Sequence, residues 1–261
     1  MRLCFALGWV AAGGLASVAL ASNPWADRVV SYVAGDGVGA GYDNAANALG
    51  SPTRVNFFGD TVTPFNTPYW ETDIVTVGRG GSLTVAFDEA VTDDAANPFG
   101  VDLIIFGNQF FITDGQGRAT GLFDEGGTIE LSADGVNWTV LTGLSAEGGF
   151  ATNGYVDTLD LEFGSDVGTI ATDFTKPVDP TFDPFGLTRA QVVAGYAGSG
   201  GGLGIDLASW GLSSISYVRI TNALNASGTP DIDGFADVTA VPAPGAAAFM
   251  VVGLCARRRR R

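Results

Sequence analysis

IELSADGVNWTVL, Ile129 to Leu141, alternates apolar and polar residues, breaks at Asp134-Gly135 and resumes after Trp138. Alternation with a period of two marks a half-buried strand, and Asp-Gly supplies the backbone freedom of a tight turn. The stretch therefore reads as a hairpin, with Trp138 opening the return strand where its ring can cover the turn.

The same pattern extends outward. RVVSYVA, TDIVTV, SLTVAF, VDLIIFG, GTIELS, NWTVLT, VDTLDLEF, SYVRITNA and DGFADVTAV are short apolar or alternating runs separated by Gly, Asp, Asn and Pro clusters. Such runs, with 38 glycines in the turns, predict an all-β chain: an antiparallel β-sandwich, a jelly roll, with long Gly/Asp-rich loops. Two stretches predict short helices. DNAANAL (43–49) has Asp43 as its N-cap and stops at Gly50-Ser51-Pro52, and TRAQVVAG (188–195) starts at Thr188 and stops at Gly195. Neither an internal repeat nor a long linker divides the body, so residues 22–241 read as one domain.

The two ends differ from this body. MRLCFALGWVAAGGLASVALAS carries one cation, an apolar stretch and Ala19-Leu20-Ala21, the small-residue pattern of a signal peptide (residues 1–21). Residues 242–261 hold Pro242-Ala243-Pro244, a run of 12 mostly apolar residues from Gly245 to Ala256, and Arg257, Arg258, Arg259, Arg260 and Arg261. As a helix that run is about 18 Å long against a hydrocarbon core of about 30 Å, too short for a lasting span. The arginines would stay on the cytoplasmic side. The tail reads as a temporary membrane hold before processing.

Outside these segments 28 acidic residues face seven basic ones, an excess of 21 negative charges. A surface so acidic repels nucleic acid and attracts cations. Both cysteines, Cys4 and Cys255, lie in the end segments, so no disulfide holds the body. The absence of histidine removes Ser-His-Asp and Cys-His catalysis and His-ligated zinc. Lys176, the one lysine, sits in a polar loop with nothing to mark it as activated.

Gly35-x-Gly37-x-x-Ala40 fits a dinucleotide fingerprint in letters only, because no long helix follows it. In TPDIDGFADVTAV a regular strand would put Asp231, Asp233 and Asp237 on one face, where hard oxygen ligands suit Ca²⁺; Asp43 and Asn44, in the polar N-terminal loop, are further ligand candidates on weaker grounds. The alternative is a solvated loop with a turn at Asp233-Gly234. Tyr69, Trp70, Tyr196 and Trp210 lie in loop-like segments as candidates to stack on sugar rings, although each residue type also serves as packing.

NALGSP (47–52), VDLIIFGNQFF (101–111), the hairpin at 129–141, GIDLASWGLSSISYVRITNA (204–223) and DIDGFADVTAV together resemble exported bacterial cell-surface proteins with a galactose-binding-like, discoidin-like β-sandwich. The tail resembles a PEP-CTERM sorting signal, with Ala243 where that family has glutamate. The resemblance implies a non-enzymatic exported protein of the cell surface or extracellular matrix. Its partners would be the export and C-terminal sorting machinery, the membrane through the tail before processing, and cell-surface polysaccharide. A calcium-stabilised carbohydrate-binding module is the alternative, and a polysaccharide-acting enzyme the third.

The A-x-A pattern predicts a mature protein beginning at Ser22. Intact-mass measurement of the exported chain checks it, and retention of residues 1–21 in that chain contradicts it.

Overall fold

The computed structural model describes residues 23–238; the signal segment with Ala19 and Ala21, and the tail with Pro242, Pro244 and Arg257–Arg261, lie outside the described residues. No helix among the described residues is long and apolar enough to cross a membrane.

Strands β1 (Arg28–Val33), β3 (Ser82–Thr92), β10 (Ser214–Thr221), β7 (Thr128–Ser132) and β8 (Thr139–Val140) form one sheet in that order. The facing sheet runs β2 (Val75–Thr76), β11 (Asp231–Asp237), β4 (Leu103–Gly107) and β9 (Leu203–Ile205). Every pairing is antiparallel. Most successive strands cross from one sheet to the other, the weave of a jelly-roll sandwich.

Alternation supplies the core. Leu83, Val85 and Phe87 of β3, Ile129 and Leu131 of β7, and Val218 and Ile220 of β10 point inward. Leu103 and Ile105 of β4 and Ile232 and Phe235 of β11 meet them from the other sheet, all buried. Burial of such side chains contributes about 1.5–3 kcal/mol each. The unbroken apolar run in VDLIIFG has its own reason: Ile104 and Phe106, on the outer face of β4, are covered by Phe174, Val101, Ala236 and Val238. Phe106 and Phe174 meet edge-on at 5.2 Å.

A third cluster lies outside the sandwich. The hairpin β5 (Phe110–Thr113) and β6 (Ala119–Phe123) packs with helix α1 (Arg189–Gly195) through Phe111, Ala119, Val178, Val192 and Tyr196. The start of α1 is held by Gln191 Oε1, which accepts from the Thr188 backbone N–H at 3.0 Å and hydroxyl at 2.9 Å.

The opening hairpin folds as its sequence predicts. Asp134 Oδ1 accepts the N–H groups of Val136 and Asn137, both at 2.8 Å, and Gly135 takes φ +72°. Trp138 sits at the mouth of β8 with the Arg219 guanidinium 3.9 Å from its ring centre.

Two expectations are corrected. VDTLDLEF is not a strand: Asp157, Asp160 and Asp166 bind backbone N–H groups of their own loop, and Leu159 stays 88 % exposed. The N-cap of the first short helix is Asn44 rather than Asp43; its side chain accepts from Ala46 N, and the helix is a 3-10 turn over Ala45–Ala48. Gly35 and Gly37 serve packing, since a Cβ on Gly35 would lie 2.6 Å from Gly78 O.

Strand β11 carries a bulge. Ile232 pairs with Gly107 and Gly234 with Phe106, so Asp233 is the extra residue. Ile232 and Phe235, three apart, consequently share the core-facing side.

Phe235→Ala should lower the unfolding free energy by about 3–5 kcal/mol, read from denaturant melts. Val136→Ala in the exposed turn should stay within about 0.5 kcal/mol. Equal midpoints for the two variants would contradict this core.

Candidate functional site

Two loops at the β11–β2 side of the sandwich bring four aromatic rings together. The segment after Thr53 turns tightly at residues 56–60, because Asn56 Oδ1 accepts the N–H of Phe58 at 2.9 Å and of Asp60 at 3.0 Å. The turn pushes Phe57 and Phe58 outward, 60 % and 55 % exposed. The loop before β2 supplies Tyr69, 40 % exposed, and the half-buried Trp70. Phe57 stacks on Trp70 at 5.5 Å and 18°, Phe58 meets Trp70 edge-on at 4.9 Å, and Phe58 lies over Tyr69 at 6.2 Å and 24°.

Polar side chains hold this ledge. Tyr42 donates its hydroxyl to Tyr69 O at 3.0 Å, and Asn47 Nδ2 donates to Glu71 O at 2.7 Å and Ile74 O at 2.9 Å. Asp73 accepts the Phe57 N–H at 3.4 Å, and burial raises its pKa. Glu71 and Asp60 are the carboxylates next to the rings in the chain.

Of the sequence candidates, Tyr69 and Trp70 stand on the ledge. Tyr196 is not displayed: it is buried in the third cluster and donates its hydroxyl to Ala151 O at 2.9 Å. Trp210 lies half-buried against the main core. Phe57 and Phe58 were not singled out in the sequence. The Asn-Phe-Phe-Gly-Asp context, a turn composition, was the available signal.

The aspartates expected on one face are spread apart by the bulge. Asp231 is held by the Thr76 hydroxyl and by Asn108 Nδ2 at 2.8 Å. Asp233, the bulge residue, accepts from Thr53 N at 2.9 Å and Thr53 Oγ1 at 2.8 Å. Asp237 follows Phe235 onto the opposite side, where burial and the charges of Asp102 and Glu89 raise its pKa to about 6. Asp43 is exposed. Among the described residues, the acidic side chains with oxygens within 4.8 Å of one another are instead Asp93, Asp102 and Asp206, an arrangement that could hold a metal ion.

Behind Asp231 lies Glu147, fully buried, whose oxygens accept the N–H groups of Asp231 at 2.9 Å and Glu125 at 2.6 Å. Burial outweighs these bonds and pushes Glu147 up to about 8, Asp233 to about 7 and Asp231 to about 6. Burial, then the charges of Asp43 and Asp231, pushes the Tyr32 phenol to about 12.

A separate cleft of about 370 Å³ is walled by Phe111, Leu122, Leu144, Phe150, Val178 and Phe185 among residues that are all apolar, Gly or Pro. Such walls offer no side chain to a sugar hydroxyl.

A scan against known protein families returns no match. A search of curated proteins finds no relative. Among solved structures the chain is similar to CBM32-3 from a family 31 glycoside hydrolase of Clostridium perfringens, at 12 % identity and a TM-score of 0.27 over 82 % of this chain and 91 % of that one. Likeness at this level decides no ligand, and the two-sheet architecture rests on its own strand pairing.

A carboxyl whose folded pKa exceeds its unfolded value holds its proton more tightly when folded. The stability it contributes is present below about pH 4 and is lost as pH rises through the folded pKa. Asp231, Asp233 and Glu147, at about 6, 7 and 8, should make the protein lose stability from about pH 4 to 8. Asp157, Asp160 and Asp166, lowered by side-chain and backbone hydrogen bonds, act oppositely, their contribution being lost as pH falls below about 4. Melting temperature should therefore peak near pH 4, and Asp233→Asn, which can still bond Thr53, should flatten the fall between about pH 4 and 7. A stability that rises from pH 5 to 8 contradicts the assignment.

Proposed function

We propose that this chain is an exported, non-catalytic β-sandwich that binds neutral glycans on the ledge of Phe57, Phe58, Tyr69 and Trp70 while displayed at a bacterial cell surface. The observation that carries the reading is the ledge itself: four rings in mutual contact, two of them more than half exposed, on an otherwise acidic body. Sugar rings present C–H faces that pack on aromatic faces, and their hydroxyls donate hydrogen bonds to carboxylates such as Glu71 and Asp60. The turn at Asn56 and the anchors from Tyr42 and Asn47 hold the rings in advance, which lowers the ordering cost of binding. An excess of 21 negative charges favours neutral over uronate-bearing chains.

Two features support the absence of catalysis. Glu147 and Asp233, the carboxyls with the highest pKa values, are closed to solvent and hydrogen-bonded to backbone N–H groups. The chain also has no histidine to move protons near neutral pH. Export and surface retention are supported by the sequence of the end segments, the A-x-A site at Ala19 and Ala21 and the Pro-Ala-Pro, apolar and arginine pattern of residues 242–261.

Calorimetric titration with neutral oligosaccharides, with a uronate-bearing one as comparison, tests the ledge. Trp70→Ala and Phe58→Ala should each weaken binding of a neutral ligand at least about tenfold, about 1.4 kcal/mol, while Phe58→Ala leaves the melting temperature nearly unchanged. Unchanged affinity in both variants, or no affinity for any neutral glycan, contradicts the proposal.

A further inference from the structure

The apolar cleft between the third cluster and strand β9 is a surface that the sandwich leaves uncovered. Its volume is about 370 Å³, and Leu144 and Phe185 on its walls are 36 % and 50 % exposed. An open apolar patch of this kind marks a place of contact. Its walls would accept many apolar groups, and the course of the chain narrows the choice to one.

The chain reaches the end of β11 beside the cleft. Val238 donates its N–H to Asp102 O at 2.8 Å, next to Val101, and both valines belong to the cluster on the outer face of β4. Val101 is also a wall of the cleft. The sheet order is β11-β4-β9, so the end of β11 stands two strand spacings from the β9 wall, about 10 Å. In the sequence, residues 239–244 lead to the apolar run Gly245 to Ala256, and six residues span up to about 20 Å. The run is therefore within reach of the cleft.

Charge points the same way. Asp179 and Asp183 alternate along the chain with the wall residues Val178, Pro180 and Pro184, and Asp124 accepts the hydroxyl of Ser145, beside Leu144, at 3.3 Å. Among the described residues none of these carboxylates pairs with a cation. The apolar run is followed directly by Arg257 to Arg261, which are cations that match such a rim. Exposed ion pairs contribute little energy, so apolar contact supplies the hold and the arginines the orientation.

We propose that the cleft takes up the apolar side chains of this chain's own C-terminal segment, Phe249 to Leu254, with Arg257 to Arg261 against the acidic rim. The cleft then competes with a bilayer for a segment too short for a lasting span, and removal of the tail uncovers the cleft. The cleft shares no residue with the aromatic ledge, and either reading can fail without the other.

Disulfide trapping in the full chain is the test, because Cys255 closes the apolar run and Cys4→Ser leaves it the single cysteine. Leu144→Cys, on the cleft wall, should form an internal disulfide with Cys255 under mild oxidation at least about tenfold faster than Val136→Cys, which is 76 % exposed in the 134–137 turn. Adding Phe249→Asp, a change outside the sandwich, should slow the Leu144→Cys reaction at least about tenfold, which a tail that is merely tethered would not show. Intact mass separates the internal bridge from a cross-linked dimer. Equal rates at the two positions, a rate unaffected by Phe249→Asp, or dimers in place of the internal bridge overturns the proposal.

Discussion

The bulge at Asp233 is the constraint on which the aromatic ledge of this sandwich depends. An inserted residue in a central strand must put its side chain somewhere, and here a carboxylate is turned out of the ladder and buried. Among the described residues no cationic side chain pairs with it, and protonation or donated hydrogen bonds offset the cost of burying it. Thr53 gives both its backbone N–H and its hydroxyl. The clasp thus satisfies Asp233, keeps Ile232 and Phe235 in the core, and fixes the start of the loop that carries Phe57 and Phe58.

From that anchor the ledge follows by short steps. Thr53 leads into the Asn56 turn, the turn exposes two phenylalanines, and these lie against Trp70 and Tyr69 from the loop pinned by Tyr42 and Asn47. Exposed apolar rings on a surface rich in carboxylates are costly to leave in water and useful to a ligand with apolar faces and hydroxyl edges. On the proposed reading, the acidity of the body disfavours charged polymers and the apolarity of the ledge favours neutral ones.

Much of the sandwich was legible because its long strands alternate without interruption, as in SLTVAF and IELS on either side of β10. Short strands escaped: β9 has three residues between glycines and turns, too few to show a period. VDTLDLEF showed a period and misled, since its aspartates found closer partners in backbone N–H groups than any neighbouring strand offered. At the site, Tyr69 and Trp70 were legible as aromatics in a loop. The spread of Asp231, Asp233 and Asp237 was not, because a bulge changes the parity of every residue after it, and its marks in the sequence, Gly234 and the three-residue spacing of Ile232 and Phe235, fit a turn at Asp233-Gly234 as well. Asp93, Asp102 and Asp206 are joined by folding alone, with only the placement of Asp102 ahead of a long apolar run to hint at burial.

Amide hydrogen exchange at Thr53 tests the clasp most directly. Thr53 lies in a segment without strand pairing, where an ordinary loop amide exchanges quickly. The account predicts protection at Thr53 comparable to that of the paired amides of β11, because opening it strands a buried carboxylate. Exchange at Thr53 as fast as at the exposed turn residues Leu224 and Asn225 would contradict it.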